Sequence, residues 1–247
     1  MKRDDFNASI RAIHGFYSSE DLVEGTVYPV ALPRSEAFNK ISLTTTVYEN
    51  VFEAGLSLSH YNFILRDLAF FQFSHSSEQE WALAYYPNPR ISGCPDALQV
   101  FTDLKAELEH GELSEEEFSS LASSLHVGNY IPRIRFEYSQ IQYRPVRHPG
   151  AHFHIGMSGE DRWSSSRKLS PLTFGLLIAK HYYPELWWPK SRFSLTQKDQ
   201  NLAANIEHCV DEKLMKSIQA DGTSHIVSDF ERLTFHFTAM QPSVPTK

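Results

Sequence analysis

The chain has 247 residues, two cysteines and a formal net charge of −7, and 41% of its residues are hydrophobic. That length and apolar content are those of an ordinary globular protein with a real core, one large domain or two small ones. The acidic balance excludes a uniformly basic nucleic-acid coat, and Cys94 and Cys209 are too few and too far apart for a disulfide framework or a zinc knuckle, so both read as reduced thiols.

The first residues, Met1 to Phe6, carry charges with no apolar run behind them, which argues against a secretory signal. Even Leu176 to Ala179 is followed at once by Lys180 and His181, far short of the roughly 20 apolar residues that a membrane helix needs. A soluble, cytoplasmic protein without membrane contact is expected.

Ile10, Ile13 and Phe16 fall at helical spacing and predict an N-terminal helix, followed by a loop at Pro29 and Pro33. A second helix is predicted from about Ser35 to Ala54, with Phe38, Ile41, Val47 and Val51 on its apolar side and Gly55 ending it. From Tyr61 the period changes. Tyr61 to Leu65, Leu68 to Phe73 and Trp81 to Tyr86 are short, aromatic-rich runs that predict a three-stranded antiparallel meander, closed by the prolines after Tyr86. A helical hairpin follows, its first arm carrying Leu98, Phe101, Leu104 and Leu108 up to Gly111, and its second opening with a capping box at Ser114 to Glu117. Strand character returns at Tyr130 to Tyr143 and at Ala151 to Met157, around a turn at His148-Pro149-Gly150. Ser170-Pro171 starts a helix expected to reach Tyr183, Thr196 to Ile218 is another helix candidate, and Arg232 to Thr238 alternates as a strand returning to the sheet.

These elements predict a single α+β domain over residues 1–247, with an N-terminal helical segment (about 1–55) and a C-terminal helix plus strand (about 196–240). The expected sheet is antiparallel, of about six strands, with helices packed on one face and at the ends.

Chemistry concentrates in one segment. Between Arg133 and Lys168 seven Lys/Arg stand against three Asp/Glu, so the charge of the chain reverses there. Residues two apart on a strand share a face, so Arg133, Arg135 and Glu137 point one way, and so do His152 and His154. Paired strands would bring both rows together. Neutral imidazoles with Glu137 could ligate a divalent metal, making His152, His154 and Glu137 the candidate metal and catalytic residues. Alternatively the histidines act as general acid and base on a phosphodiester that Arg133, Arg135, Arg147 and Arg167 hold by its oxygens. A third use is anion binding with no bond broken. The plain alternative is a hydrogen-bonded histidine pair beside a cross-strand salt-bridge ladder of small energetic weight. His75 and His236 each stand alone on a strand and read as structural, although His236 could join the cluster if its face matches, and His181 to Trp188 reads either as core and helix terminus with a partly exposed Trp or as a stacking surface for bases. No serine-hydrolase elbow, H-E-x-x-H or dinucleotide-binding glycine pattern is present.

Phe70 to Phe73, Ala84 to Pro89, Arg133 to Tyr138, His148 to Gly156 and Leu169 to Pro171, in that order, resemble the bacterial family called domain of unknown function 2290, over about residues 41–188. The resemblance implies no settled activity. By association it suggests an accessory or antiviral-defence role, or a toxin-like effector.

The functional expectation is a bacterial protein acting on nucleic acid or nucleotide phosphates through the His/Arg cluster, with His152 and His154 as acid/base pair or metal ligands, a nuclease or phosphodiesterase as the candidate activity and a divalent metal as the candidate cofactor. Its rivals are a non-enzymatic subunit docking a partner encoded nearby, for which the acidic run Glu107 to Glu117 and Trp187-Trp188 are the motive, and a binding module for a small anion.

Overall fold

The structure is a computed structural model that describes residues 1–91, 95–125, 131–159, 161–191, 209–222 and 228. Its centre is one antiparallel sheet of seven strands in plain sequence order. They are β1 (Val23–Thr26), β2 (Phe63–Leu65), β3 (Phe70–Ser77), β4 (Glu80–Tyr86), β5 (Ile134–Ser139), β6 (Ala151–Ile155) and β7 (Trp163–Ser164). The expected central meander is present as β2, β3 and β4. Seven strands replace the expected six because β1 and β7 are four and two residues long, too short to show a period. The expected strand Arg232 to Thr238 lies outside the described residues.

Helix α1 (Arg3–Ser18) buries Phe6, Ile10, Ile13, Phe16 and Tyr17 on one stripe. It packs with α6 (Pro171–Tyr182) over one face of the sheet, where alternation presents Phe71 and Phe73 of β3, Trp81, Leu83 and Tyr85 of β4, and Phe136 and Tyr138 of β5. Ser170 caps α6 by accepting from Thr173 N–H, with Pro171 at the first helical position, as the sequence predicts. Two short helices follow, α7 (Pro184–Trp187) and α8 (Val210–Ala220); the first half of the expected helix Thr196 to Ile218 lies outside the described residues.

The predicted helix Ser35 to Ala54 is two helices, α2 (Glu36–Thr44) and α3 (Tyr48–Ser57). The break is local: Thr45 adopts extended backbone, and its Oγ1 accepts from Val47 N–H at 3.1 Å and from Asn50 Nδ2 at 3.2 Å. Threonine side chains that bond nearby backbone compete with helix propagation. Gly55 does not end a helix, since α3 runs on to Ser57. It is a packing position, where an added Cβ would lie 2.3 Å from Phe70 Cζ.

That contact exposes a second core. Phe38 of α2 and Tyr48, Val51 and Phe52 of α3 pack on Ile64, Phe70, Ala84 and Tyr86, the opposite sheet face. Helices therefore cover part of both faces rather than one. The hairpin of α4 (Pro95–Glu109) and α5 (Glu115–Ser124) is inserted between β4 and β5, with Gly111 in the left-handed region at its turn and the predicted capping box at Ser114/Glu117. Among the described residues no helix is long and apolar enough to cross a membrane.

Gly55→Ala should lower stability despite its better helix propensity. Overpacking against Phe70 costs about 1–3 kcal/mol while the propensity gain is at most about 1 kcal/mol. Chemical denaturation should show a lower midpoint; an unchanged or higher one would mean that α3 is not seated on Phe70.

Candidate functional site

The site is built by strand parity. β5 and β6 pair so that Arg135 lies opposite His154 and Glu137 opposite His152, while Phe136 and Phe153 meet on the buried face behind them. β7 continues the row, with Ser164 opposite His152; the same register places Arg162 opposite His154. All these side chains occupy the face that α2 and α3 only partly cover.

Their geometry is close. His152 Nε2 and His154 Nε2 are 3.0 Å apart, and Glu137 Oε2 lies 3.8 Å from each. The three ligand atoms all fall within 4.8 Å of one another. Two donors on one metal at bonds of 2.0–2.1 Å stand about 2.9 Å apart at a right angle and about 3.3 Å apart in a tetrahedron. The imidazole pair is thus already at coordination spacing, and Glu137 needs to close by under about 1 Å.

Two of the three donors, His152 and Glu137, are oriented by a further neighbour. A carbonyl only accepts, so the 2.9 Å contact of His152 Nδ1 with Pro149 O requires the proton on Nδ1 and leaves a lone pair on Nε2. This is the arrangement in which a second partner fixes the tautomer of a metal-binding histidine. Glu137 divides its oxygens, Oε1 pairing with Arg135 Nη2 and Oε2 facing the histidines.

Both imidazoles are enclosed, at 0% exposure for His152 and 4% for His154. Burial is the main cause that pushes His152 down to about 3, with His154 and His148 adding to it. His154 is pushed down to about 4 by burial and then by Arg135, Arg162 and Arg133. At neutral pH both are uncharged, the state a metal requires.

Beside this cluster Arg133 is 2% exposed, its Nη1 donates to Ser42 Oγ at 3.5 Å, and its guanidinium lies 5.7 Å from the centre of the Tyr86 ring. No carboxylate pairs with it among the described residues. Four buried polar atoms here lack a hydrogen-bond partner among the described residues: Arg133 Nε, His148 Nδ1, His154 Nδ1 and Ser164 Oγ. Such a concentration calls for a ligand, an ion or water.

Glu137 and Arg135 also line a cleft of about 510 Å³. Its floor is the short side chains of Ser74, Ala82 and Ala84, and α2 supplies a wall through Phe38, Asn39 and Ser42. The adjoining loop is held by the buried Asn62, whose Nδ2 donates to Tyr28 O and Val30 O and whose Oδ1 accepts from Phe73 N–H.

Of the residues that the sequence singles out, Glu137, His152, His154, Arg133 and Arg135 come together. Arg147 does not join them; it is exposed on the turn before His148 and makes no side-chain hydrogen bond or ion pair among the described residues. Arg167 sits elsewhere, near Asp221 at the start of α6. Of the two tryptophans, Trp187 is core, at 1% exposure, and Trp188 is exposed. His75 is buried and bonds Met1 O at 2.9 Å, and His236 lies outside the described residues. Sequence reasoning missed His148, whose ring meets that of His152 edge-on at 5.0 Å, and Arg162 and Ser164. The Arg162-x-Ser164 alternation was the available signal, too short to separate from a loop.

Fold and site together define an α+β protein with a candidate His/Glu metal centre and an arginine-flanked cleft on one sheet face. The chain belongs to the family described as an uncharacterized conserved protein, DUF2290, which matches residues 19–239 and so takes in every residue of the cluster and more of the chain than the resemblance over residues 41–188. No curated protein and no solved structure matches it.

The buried histidines make stability pH-dependent. Unfolded, each takes up a proton near 6.5; folded, only near 4 or 3, so the unfolded state binds more protons as pH falls and folding weakens through that window. The slope is up to about 1.4 kcal/mol per pH unit for each histidine. Asp67 and Asp221, raised by burial, act in the opposite sense and are common to wild type and variant. Denaturant unfolding of apo protein between pH 7 and pH 4 should therefore lose stability more steeply than His152→Gln/His154→Gln; equal slopes would contradict the burial of neutral imidazoles.

Proposed function

We propose that this protein binds one divalent transition metal through Glu137, His152 and His154, and acts through it on a phosphate-bearing ligand, a nucleotide or nucleic acid, held by Arg133 and Arg135. The observation that carries this reading is the convergence of three metal-type donors within 4.8 Å, one of which, Glu137, lines the cleft beside Arg135. The donor set, two neutral imidazoles and a carboxylate, suits zinc, iron or manganese.

Charge supports the pairing of metal with anion. Arg135 neutralises Glu137, so a dication beside Arg133 and Arg162 would leave the pocket strongly positive. An anionic ligand offsets that charge, and the metal in turn strengthens the hold on the anion. A metal held there would lower the pKa of a water so that hydroxide is available near neutral pH, and would polarise a phosphoryl oxygen. The chain's own part is to orient the donors from β5 and β6 and to present guanidiniums to the phosphate.

The acid–base use of the two histidines has less support. Both are enclosed, bonded to each other and neutral at pH 7, so neither carries the extra proton that a general acid must give. The docking-subunit alternative retains the exposed Trp188 but not Trp187. An antiviral-defence role, suggested by the family resemblance, would be exercised through this same site.

Calorimetric titration of metal-stripped protein with Zn²⁺ or Mn²⁺ should show one equivalent bound, and inorganic phosphate should tighten it by about 5–150-fold, the usual span of coupled sites. His152→Ala or His154→Ala should weaken metal binding beyond the 10–100-fold that loss of an outer-shell partner causes. Arg133→Met, close in volume, should keep the metal and lose the phosphate effect. Undiminished metal binding in the double histidine variant would overturn the assignment.

A further inference from the structure

We infer that the ligand is a single nucleotide or a phosphate ester of like build, one phosphate with one neutral, hydrogen-bonding body, and not a polynucleotide. The inference rests on the metal-site reading and names its substrate class. It comes from the polarity of the cleft along β4 and β5.

At one end stands Arg135, with Arg133 behind it, next to Glu137, the one member of the Glu137/His152/His154 cluster that lines the cleft. At the other end stand Glu80, Ser139 and Gln142. Glu80 Oε1 there accepts from Ser139 Oγ at 3.2 Å and from Gln142 Nε2 at 3.4 Å. Arg135 and Ser139 are four residues apart on one strand, which separates the ends by about 13 Å. A stacked strand carries a phosphate every 3.4 Å or so, and over this length it would set further phosphates beside the Glu80 carboxylate. A ligand with its only charge at the arginine end avoids that repulsion and meets amide and hydroxyl groups along the rest.

The lining charges agree. Among the described residues only Arg34 and Arg135 are basic in the cleft wall, balanced by Glu80 and Glu137. A polynucleotide track requires a stripe of Lys and Arg with aromatic platforms. The cleft has rings in its lining, Phe38, His60 and Tyr86 among them, but no such basic stripe, and its floor is short-chained, at Ser74 and Ala82, which pair across β3 and β4, with Asn39 in its wall. Side chains this short at the centre of a sheet are what leave the space open.

The test uses the full chain loaded with Mn²⁺ and measures Kd for nucleoside 5′-monophosphates, inorganic phosphate and short single-stranded oligonucleotides. Mononucleotides should bind at least about tenfold tighter than phosphate alone and tighter than oligonucleotides. Ser74→Leu, which fills the floor, and Asn39→Trp, on a half-buried helix position that tolerates bulk, should each reduce mononucleotide affinity by about tenfold or more and leave the metal stoichiometry at one. Glu80→Lys should raise oligonucleotide affinity. Equal affinity for phosphate and mononucleotide, tighter binding of oligonucleotide by the wild type, or indifference of folded Asn39→Trp would each overturn the inference while leaving the metal site standing. A wild-type chain that binds no metal is a different failure, which removes the metal reading and this substrate class with it.

Discussion

The register between β5 and β6 is the constraint on which the site depends. Side chains alternate with a period of two, so the pairing of Arg135 with His154 and of Glu137 with His152 also sends Phe136 and Phe153 into the main core. A slip by one residue would bury the charged row and expose the aromatic one. The hydrophobic face thus fixes the polar face, and the cluster inherits the rigidity of the core beneath it. Gly156, in the left-handed region with its N–H donating to Arg133 O at 2.7 Å, closes β6 at the point where that register has to end.

Holding this row in place is unfavourable by itself. Among the described residues Arg133 is enclosed without a carboxylate partner and several polar atoms beside it lack partners, and two imidazoles are kept from protonation. Replacing buried charged groups with well-packed apolar ones of like volume is often neutral or stabilising, so folding alone gives little reason for such a row. The remainder of the sheet carries the burden, through the aromatic packing of β2 to β4 against α1 and α6 on one face and against α2 and α3 on the other. The break between α2 and α3 has a place in this arrangement: it lets Phe38 reach Tyr86 while Asn39 and Ser42 wall the cleft.

Much of this was legible in the sequence because it is periodic. The α1 stripe, the meander of β2 to β4, the capping box of α5 and the Ser-Pro start of α6 follow from local rules, and the parity argument alone predicted which ionisable side chains share a face. What was not legible has physical causes. The Thr45 break competes with helix propensity through a side-chain hydrogen bond that composition does not reveal, and Gly55 resembles a helix stop until Phe70 is seen against it. β7 is two residues long, so Arg162 and Ser164 read as loop. Arg147 and Arg167 were grouped with the cluster by nearness in sequence, whereas the turn and the end of the sheet carry them away from it. The cleft itself could not be read at all, because it is made by short side chains on β3 and β4 and by a helix some forty residues earlier in the chain.

On the reading proposed above, His152, His154 and Glu137 form a metal centre and not a hydrogen-bonded cluster. Crystals grown with Zn²⁺ and measured for anomalous scattering at the zinc edge distinguish the two. A metal centre gives one peak about 2.0–2.2 Å from both Nε2 atoms and a Glu137 oxygen, with the direct imidazole contact replaced by two metal bonds. Crystals saturated with metal that show no peak there, and His152 and His154 still bonded to each other at 3.0 Å, would contradict it.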